Sequence, residues 1–156
     1  MSRSRRRRKP SLVLDTSVLC RGIQAFFQAS RQEPRALANS ARELIERWLR
    51  TPPRFDLICS EDIVEEYKAV LNELGLHDLN VGQVIGGIRR RGKLVTPAMA
   101  PRVSPDPGDD KFYAAALEGR VTAIVTANPR HFPAHEGVRI LSPDEALREL
   151  DECGAR

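Results

Sequence analysis

The sequence predicts an α/β fold with a mostly parallel sheet covered by helices on both faces. Two observations predict it. Strand-like apolar runs alternate with amphipathic helical stretches along the chain. The first run, Leu12-Val13-Leu14, is too short for a helix face and reads as a buried strand that delivers Asp15 at its carboxyl end. That edge is where open α/β sheets build their sites. A buried, unpaired carboxylate is costly, so Asp15 needs a cation, a donor or a proton.

The 156 residues suffice for one domain with a real core. With 41% hydrophobic and 29% charged residues, the composition is that of a soluble globular protein. No apolar run reaches the roughly 18 residues of a membrane span. The basic start followed by Leu12–Leu14 resembles the opening of a signal peptide. Asp15 interrupts it too early, no small-residue cleavage site follows, and a cytoplasmic protein is expected.

Cys20, Cys59 and Cys153 are odd in number and widely spaced. They form neither a disulfide framework nor a zinc site and read as ordinary buried thiols. Arg3, Arg5, Arg6, Arg7, Arg8 and Lys9 supply six positive charges, so against a total of +4 the rest of the chain is net −2. Residues 1–10 are therefore read as a disordered basic arm and 11–156 as a single domain. Such an arm either contacts phosphates or is a solubilising leader.

After the first strand, Ser17 to about Ala29 reads as helix with Val18, Leu19, Ile23, Phe26 and Phe27 on its apolar face. Arg35 to Arg50 is a second helix, with Leu37, Leu44, Ile45 and Trp48 on one stripe, stopped by Pro52-Pro53. Phe55 to Cys59 is a strand. Ser60 is a good N-cap for a helix that runs to Leu74 and ends at Gly75. Asn80 to Arg90 is a weaker helix containing three glycines. Leu94 to Thr96 is a short strand, and Pro97 to Pro107 a proline-rich connection. Asp109 to Glu118 is a helix stopped by Gly119, and Val121 to Thr126 is the clearest buried strand. A loop from Asn128 to Gly137 leads to a last strand, Val138 to Leu141. Ser142-Pro143-Asp144-Glu145 is a capping box for a final helix to about Cys153.

Helical geometry then selects acids that can join Asp15. At about 100° per residue, Ile63, Val64, Tyr67, Val70, Leu71 and Leu74 share one arc of their helix. Glu66 falls at the margin of that arc and Glu65 on the opposite face, so Glu66 faces the interior and Glu65 the solvent. In the next candidate helix, Asp109 lies along the middle of the arc of Phe112, Tyr113, Ala116 and Leu117, and Asp110 at its edge. Asp109 is a candidate N-cap as well as a candidate ligand. Asp106, in the loop before, either contributes or shapes the turn. Asn128 follows the buried strand and its Thr126, as Asp15 follows the first strand. Its amide oxygen can ligate a metal but adds no charge. Three acids and an amide from four segments can converge at one edge of the sheet, and Mg²⁺ or Mn²⁺ prefers such oxygen clusters.

At these residues the sequence resembles the PIN-domain family. The matching pieces are Leu-Val-Leu-Asp-Thr-Ser at 12–17, Ser60 with Glu66-Tyr67 and Val70-Leu71, Asp106-Pro-Gly-Asp109-Asp110-Lys111-Phe112 with 114–116, and Ile-Val-Thr-Ala-Asn at 124–128. The closing segment 140–145 resembles the end of a subgroup of toxins from toxin–antitoxin modules. The resemblance implies a three-layer α/β/α sandwich and a Mg²⁺- or Mn²⁺-dependent ribonuclease. It implies that Asp15, Glu66 and Asp109 bind metal, with Asn128 where many members have a fourth Asp and Ser17 where Asn is frequent. Thr16, Ser17, Asp106, Asp110 and Thr126 are expected as supporting residues, and Arg130 and His131 as contacts to RNA. It also implies a small antitoxin partner and a homodimer.

Two other functions compete. A phosphohydrolase with Asp15 as covalent nucleophile shares the strand-then-Asp opening, but Ser17 stands where a second Asp is typical. An inactive RNA- or partner-binding protein is the other, favoured by the missing charge at Asn128. His131 and His135 are separated by Pro133 and share no helix face, which argues against zinc. Arg89-Arg90-Arg91 reads as solvated surface, and Gly92-Lys93 lacks the rest of a phosphate-binding loop. Phe26, Phe27, Leu37 and Trp48 serve either core packing or partner contact.

Overall fold

Strand β1 (Ser11–Leu14) is the middle of five in a computed structural model that describes residues 8–28, 36–99, 101–135 and 137–154. It pairs in parallel with β2 (Asp56–Cys59), Leu12 opposite Leu57, and with β4 (Ala123–Val125), Val13 opposite Ile124. The edges are β3 (Lys93–Leu94) and β5 (Arg139–Leu141), giving an all-parallel order β3-β2-β1-β4-β5. Leu12, Val13 and Leu14 are fully enclosed. That is why the run carries no polar residue: strands line it on both sides and helices on both faces.

Helix α1 (Thr16–Gln28) packs on α2 (Ala36–Leu49) and α3 (Glu61–Glu73), and α4 (Asp78–Arg91) rests on α3. Helix α5 (Asp110–Gly119) lies against β1, β2 and β4, while α6 (Pro143–Gly154) meets α2 and β5. The result is the three-layer α/β/α sandwich. The chain builds the sheet outward from β1 to β3, then returns past β1 to lay down β4 and β5. Strand order therefore reverses between β1 and β4, and the carboxyl ends of these two strands flank the crevice where such sheets bind ligands.

Local signals explain the helix ends. Ser60 Oγ accepts the Ile63 N–H at 3.4 Å. Ser142 and Glu145 cap reciprocally, each side chain accepting the other's backbone N–H at 3.1 Å. Gly75, with φ of +80°, ends α3. Other boundaries differ from the sequence reading. Helix α4 starts at Asp78 rather than Asn80, because His77 Nδ1 accepts the Leu79 N–H and caps it. Strand β4 is the shorter Ala123–Val125, whose three residues pair with Leu12, Val13 and Leu14 of β1. Strand β3 is Lys93–Leu94, set by its register against Ile58 and Cys59 at the end of β2.

Gly119 does not stop α5; it is the last helical residue, and Arg120 takes the left-handed turn at φ 48°. A Cβ on Gly119 would lie 2.7 Å from Ile58 Cγ2, so glycine is needed there for the approach of α5 to β2. The cysteines also divide. Cys20 and Cys59 are buried, whereas Cys153 is exposed near the end of α6. Trp48 is core, while Phe26 and Phe27 are partly exposed; the Leu37 side chain lies outside the described residues. Most of the basic arm, residues 1–7, also lies outside them, and Lys9 pairs with Asp56 at 3.2 Å. The arginine run is engaged in part: Arg89 pairs with Glu61, and Arg91 Nη2 donates to the Arg50 carbonyl at 3.1 Å beyond the end of α2.

Gly22 carries the closest helix contact. A Cβ there would meet the Ala41 carbonyl oxygen at 2.6 Å and Ile45 Cγ1 at 2.7 Å. Gly22→Ala is expected to force α1 from α2 and cost about 1–3 kcal/mol. Gly82→Ala in α4, where nothing lies within 4 Å, is expected to gain up to about 1 kcal/mol from helix propensity. Chemical denaturation of the two variants checks this; equal effects would refute the close-approach account.

Candidate functional site

Asp15 is where β1 becomes α1. Its N–H donates to the Val125 carbonyl at 2.9 Å, and its own carbonyl accepts from Val18 and Leu19 at the start of α1. The residue is buried, 9% exposed. Its Oδ2 accepts Thr126 Oγ1–H at 2.9 Å and Ser17 Oγ–H at 3.2 Å. Burial pushes the carboxyl pKa up, the hydroxyls of Thr126 and Ser17 pull against it, and the charge of Glu66 adds to the rise. Thr126 is itself fully enclosed, and its Oγ1 also accepts the Asn128 N–H at 3.0 Å. One hydroxyl thus links the ends of β1 and β4.

Glu66 comes from α3. The Tyr67 hydroxyl donates to the Leu14 carbonyl and ties this helix to the end of β1. Glu66 is half-buried, with Oε2 accepting the Thr16 hydroxyl and Oε1 facing Lys111 Nζ at 2.7 Å. Glu65 turns outward toward Arg89.

The third acid belongs to a single 3₁₀ turn, Pro107–Asp109, that leads into α5. Asp106 Oδ1 accepts the Gly108 N–H at 2.9 Å and so shapes this turn. Asp109 stands at the N-cap position of α5 but makes no capping bond with its side chain. Its pKa is pushed up to about 6, chiefly by burial, then by the negative charges of Asp15, Asp106 and Glu66, with Lys111 opposing. Asp110 is the more buried of the pair, contrary to the helical-arc reading that set it at the edge. Its Oδ1 accepts N–H bonds from Val103 (3.0 Å) and Ser104 (2.7 Å), which hold the proline-rich connection. Only the connection's fold could reveal that.

Asn128 follows β4 and is exposed, its carbonyl accepting the His131 N–H at 3.0 Å. Arg130 and His131, in the turn beyond, line an open cavity of about 440 Å³ with Pro105 and Asp106. Phe132 anchors this turn by packing on Phe112 and Tyr113 of α5. Lys111 is the residue whose part the sequence reading missed. It appears there only inside a motif, and its partner Glu66 lies 45 positions away on another helix.

The donor set at the crevice is all oxygen and rich in negative charge, which suits a hard divalent ion. Among the described residues, no three His, Cys, Asp or Glu side chains are grouped closely enough to hold one ion as they stand. Glu66 is engaged by Thr16 and Lys111 instead. No described helix is long and apolar enough to cross a membrane. The sequence matches the family model described as PIN domain over residues 11–130. No curated protein matches the chain.

The Asp109 shift carries a pH signature. Its carboxyl takes up a proton near pH 6 when folded but near 3.8 otherwise. Stability from the bound proton is present at the acid side of this window and lost as pH rises through 6. In a chelator, the midpoint of thermal unfolding is expected to be lower at pH 7.5 than at pH 5 by roughly 2–4 °C. Asp109→Asn should narrow that gap; an unchanged gap would dissociate Asp109 from it.

Proposed function

From the premise that the chain belongs to the PIN-domain family, generally a nuclease fold, we propose that it is a Mg²⁺- or Mn²⁺-dependent endoribonuclease. The observation that carries this reading is Asp15, a carboxylate buried where β1 meets β4, with the charge of Glu66 raising its pKa and those of Asp15 and Glu66 adding to the burial that raises that of Asp109. When bound, a divalent ion supplies an activated water and neutralises charge on the phosphoryl oxygens.

In this reading Asp15, Glu66 and Asp109 hold the ion, directly or through its waters. Thr126 and Ser17 fix the orientation of the Asp15 carboxylate, and Thr16 that of Glu66. Asp106 and Asp110 fix the loop that carries Asp109. Arg130 and His131 offer donors to an RNA phosphate beside Asp106. Asn128 leaves the place of a fourth acid uncharged, which favours one well-held ion. The resemblance of the closing segment to toxin relatives supports a cytoplasmic toxin that forms a homodimer and is neutralised by a small antitoxin.

A second reading is a binding protein with weak or no activity. It is favoured by Asn128 and by the engagement of Glu66 with Lys111.

A mixed single-stranded RNA pool, incubated with Mg²⁺, Mn²⁺ or EDTA, distinguishes the two. Wild type is expected to cut only with metal. Asp15→Asn should cut slower by on the order of 100-fold or more. Asn128→Asp should cut at least as fast as wild type. Silence of wild type with cleavage by Asn128→Asp supports the binding reading. Silence of every well-folded variant refutes the nuclease.

A further inference from the structure

We infer that Lys111 is a resident counter-ion of the site: its ammonium occupies Glu66 in the ion-free protein and must withdraw when a divalent ion binds. The inference rests on the metal-dependent reading above and makes Lys111 a positioning residue, acting through Glu66.

Two observations meet here. Lys111 Nζ lies 2.7 Å from Glu66 Oε1, with its side chain only 23% exposed, so the pair is partly shielded from water. Both oxygens of Glu66 are engaged, Oε2 by Thr16 and Oε1 by Lys111. The ammonium of Lys111 therefore holds the oxygen a divalent ion would use.

The ammonium also has somewhere to go. Lys111 lines an open cleft of about 590 Å³ between the starts of α3 and α5, and Asp62 and Glu65 line the same cleft. A lysine on its four-carbon stem can swing between two acidic neighbours without backbone movement, which the forked, planar group of arginine does less readily. Exchange of one cation for another leaves Glu66 paired throughout, so neither state buries a lone carboxylate.

The test uses the full chain, stripped with a chelator and titrated with Mn²⁺ in the absence of RNA. Electron paramagnetic resonance reports the free ion, and circular dichroism reports the fold. Lys111→Met is expected to bind Mn²⁺ about tenfold more tightly than wild type, and Lys111→Arg no more tightly than wild type. Loss of one charge would raise affinity even without contact, so a second readout is needed. An amine-acylating reagent, read by mass spectrometry, should label Lys111 several-fold more once Mn²⁺ is bound, while exposed Lys68 is unaffected. Equal or weaker Mn²⁺ binding by a folded Lys111→Met, or Lys111 labelling that Mn²⁺ leaves unchanged, overturns the inference. If wild type still binds Mn²⁺ and Asp15→Asn does not, the metal reading survives that failure. If no variant binds Mn²⁺, both fall together.

Discussion

One carboxylate, buried at the end of the central strand, sets the terms for the residues around it. Asp15 follows three enclosed aliphatic residues and has almost no contact with water. A charge in that position is tolerated only if its surroundings are polar in the right directions. Thr126 and Ser17 supply hydroxyls, and the backbone on either side is committed to β4 and α1. The Tyr67 hydroxyl on the Leu14 carbonyl then brings α3, and Glu66 with it, to the same point. The order of the sheet makes this economical: β1 and β4 are neighbours, so their carboxyl ends are too.

Carboxylates of the same chemical type do different work within a short stretch of chain. Asp106 closes a turn with a neighbouring N–H, and Asp110 binds two N–H groups of the connection before it. In each, one carboxylate oxygen is committed to backbone. Asp109, between them, makes no capping bond; burial, and after it the charges of Asp15, Asp106 and Glu66, hold its proton to about pH 6. Such a group is either neutral or in need of a cation near neutral pH, which is the electrostatic condition a divalent ion relieves. Lys111 supplies part of that relief from within the chain.

How much of this could be read in advance follows from how local each signal is. The alternation of apolar runs with amphipathic stretches determines the layers, and a capping box such as Ser142 to Glu145 determines its helix start within one turn of chain. The inward face of Glu66 follows from helical period alone. The limits of β3 and β4 were not legible, because strand length depends on what the neighbouring strand offers to pair. Gly119 looked like a helix stop, yet its role comes from Ile58 on a distant strand. For the same reason the tasks of Asp110 and Lys111 escaped notice: their partners are a folded loop and another helix. Asp15 and Asp109 are legible as acids at element ends and Glu66 as an inward-facing one, whereas the engagement of Glu66 by Thr16 and Lys111 is not.

The most direct measurement is X-ray diffraction from crystals of the chain soaked in Mn²⁺, with data collected for the anomalous signal of manganese. The expected result is one strong peak at the carboxyl ends of β1 and β4, in contact with oxygens of Asp15 and Asp109. A peak confined to other parts of the molecule, or an empty crevice at saturating Mn²⁺, would contradict the proposal that these acids serve a metal.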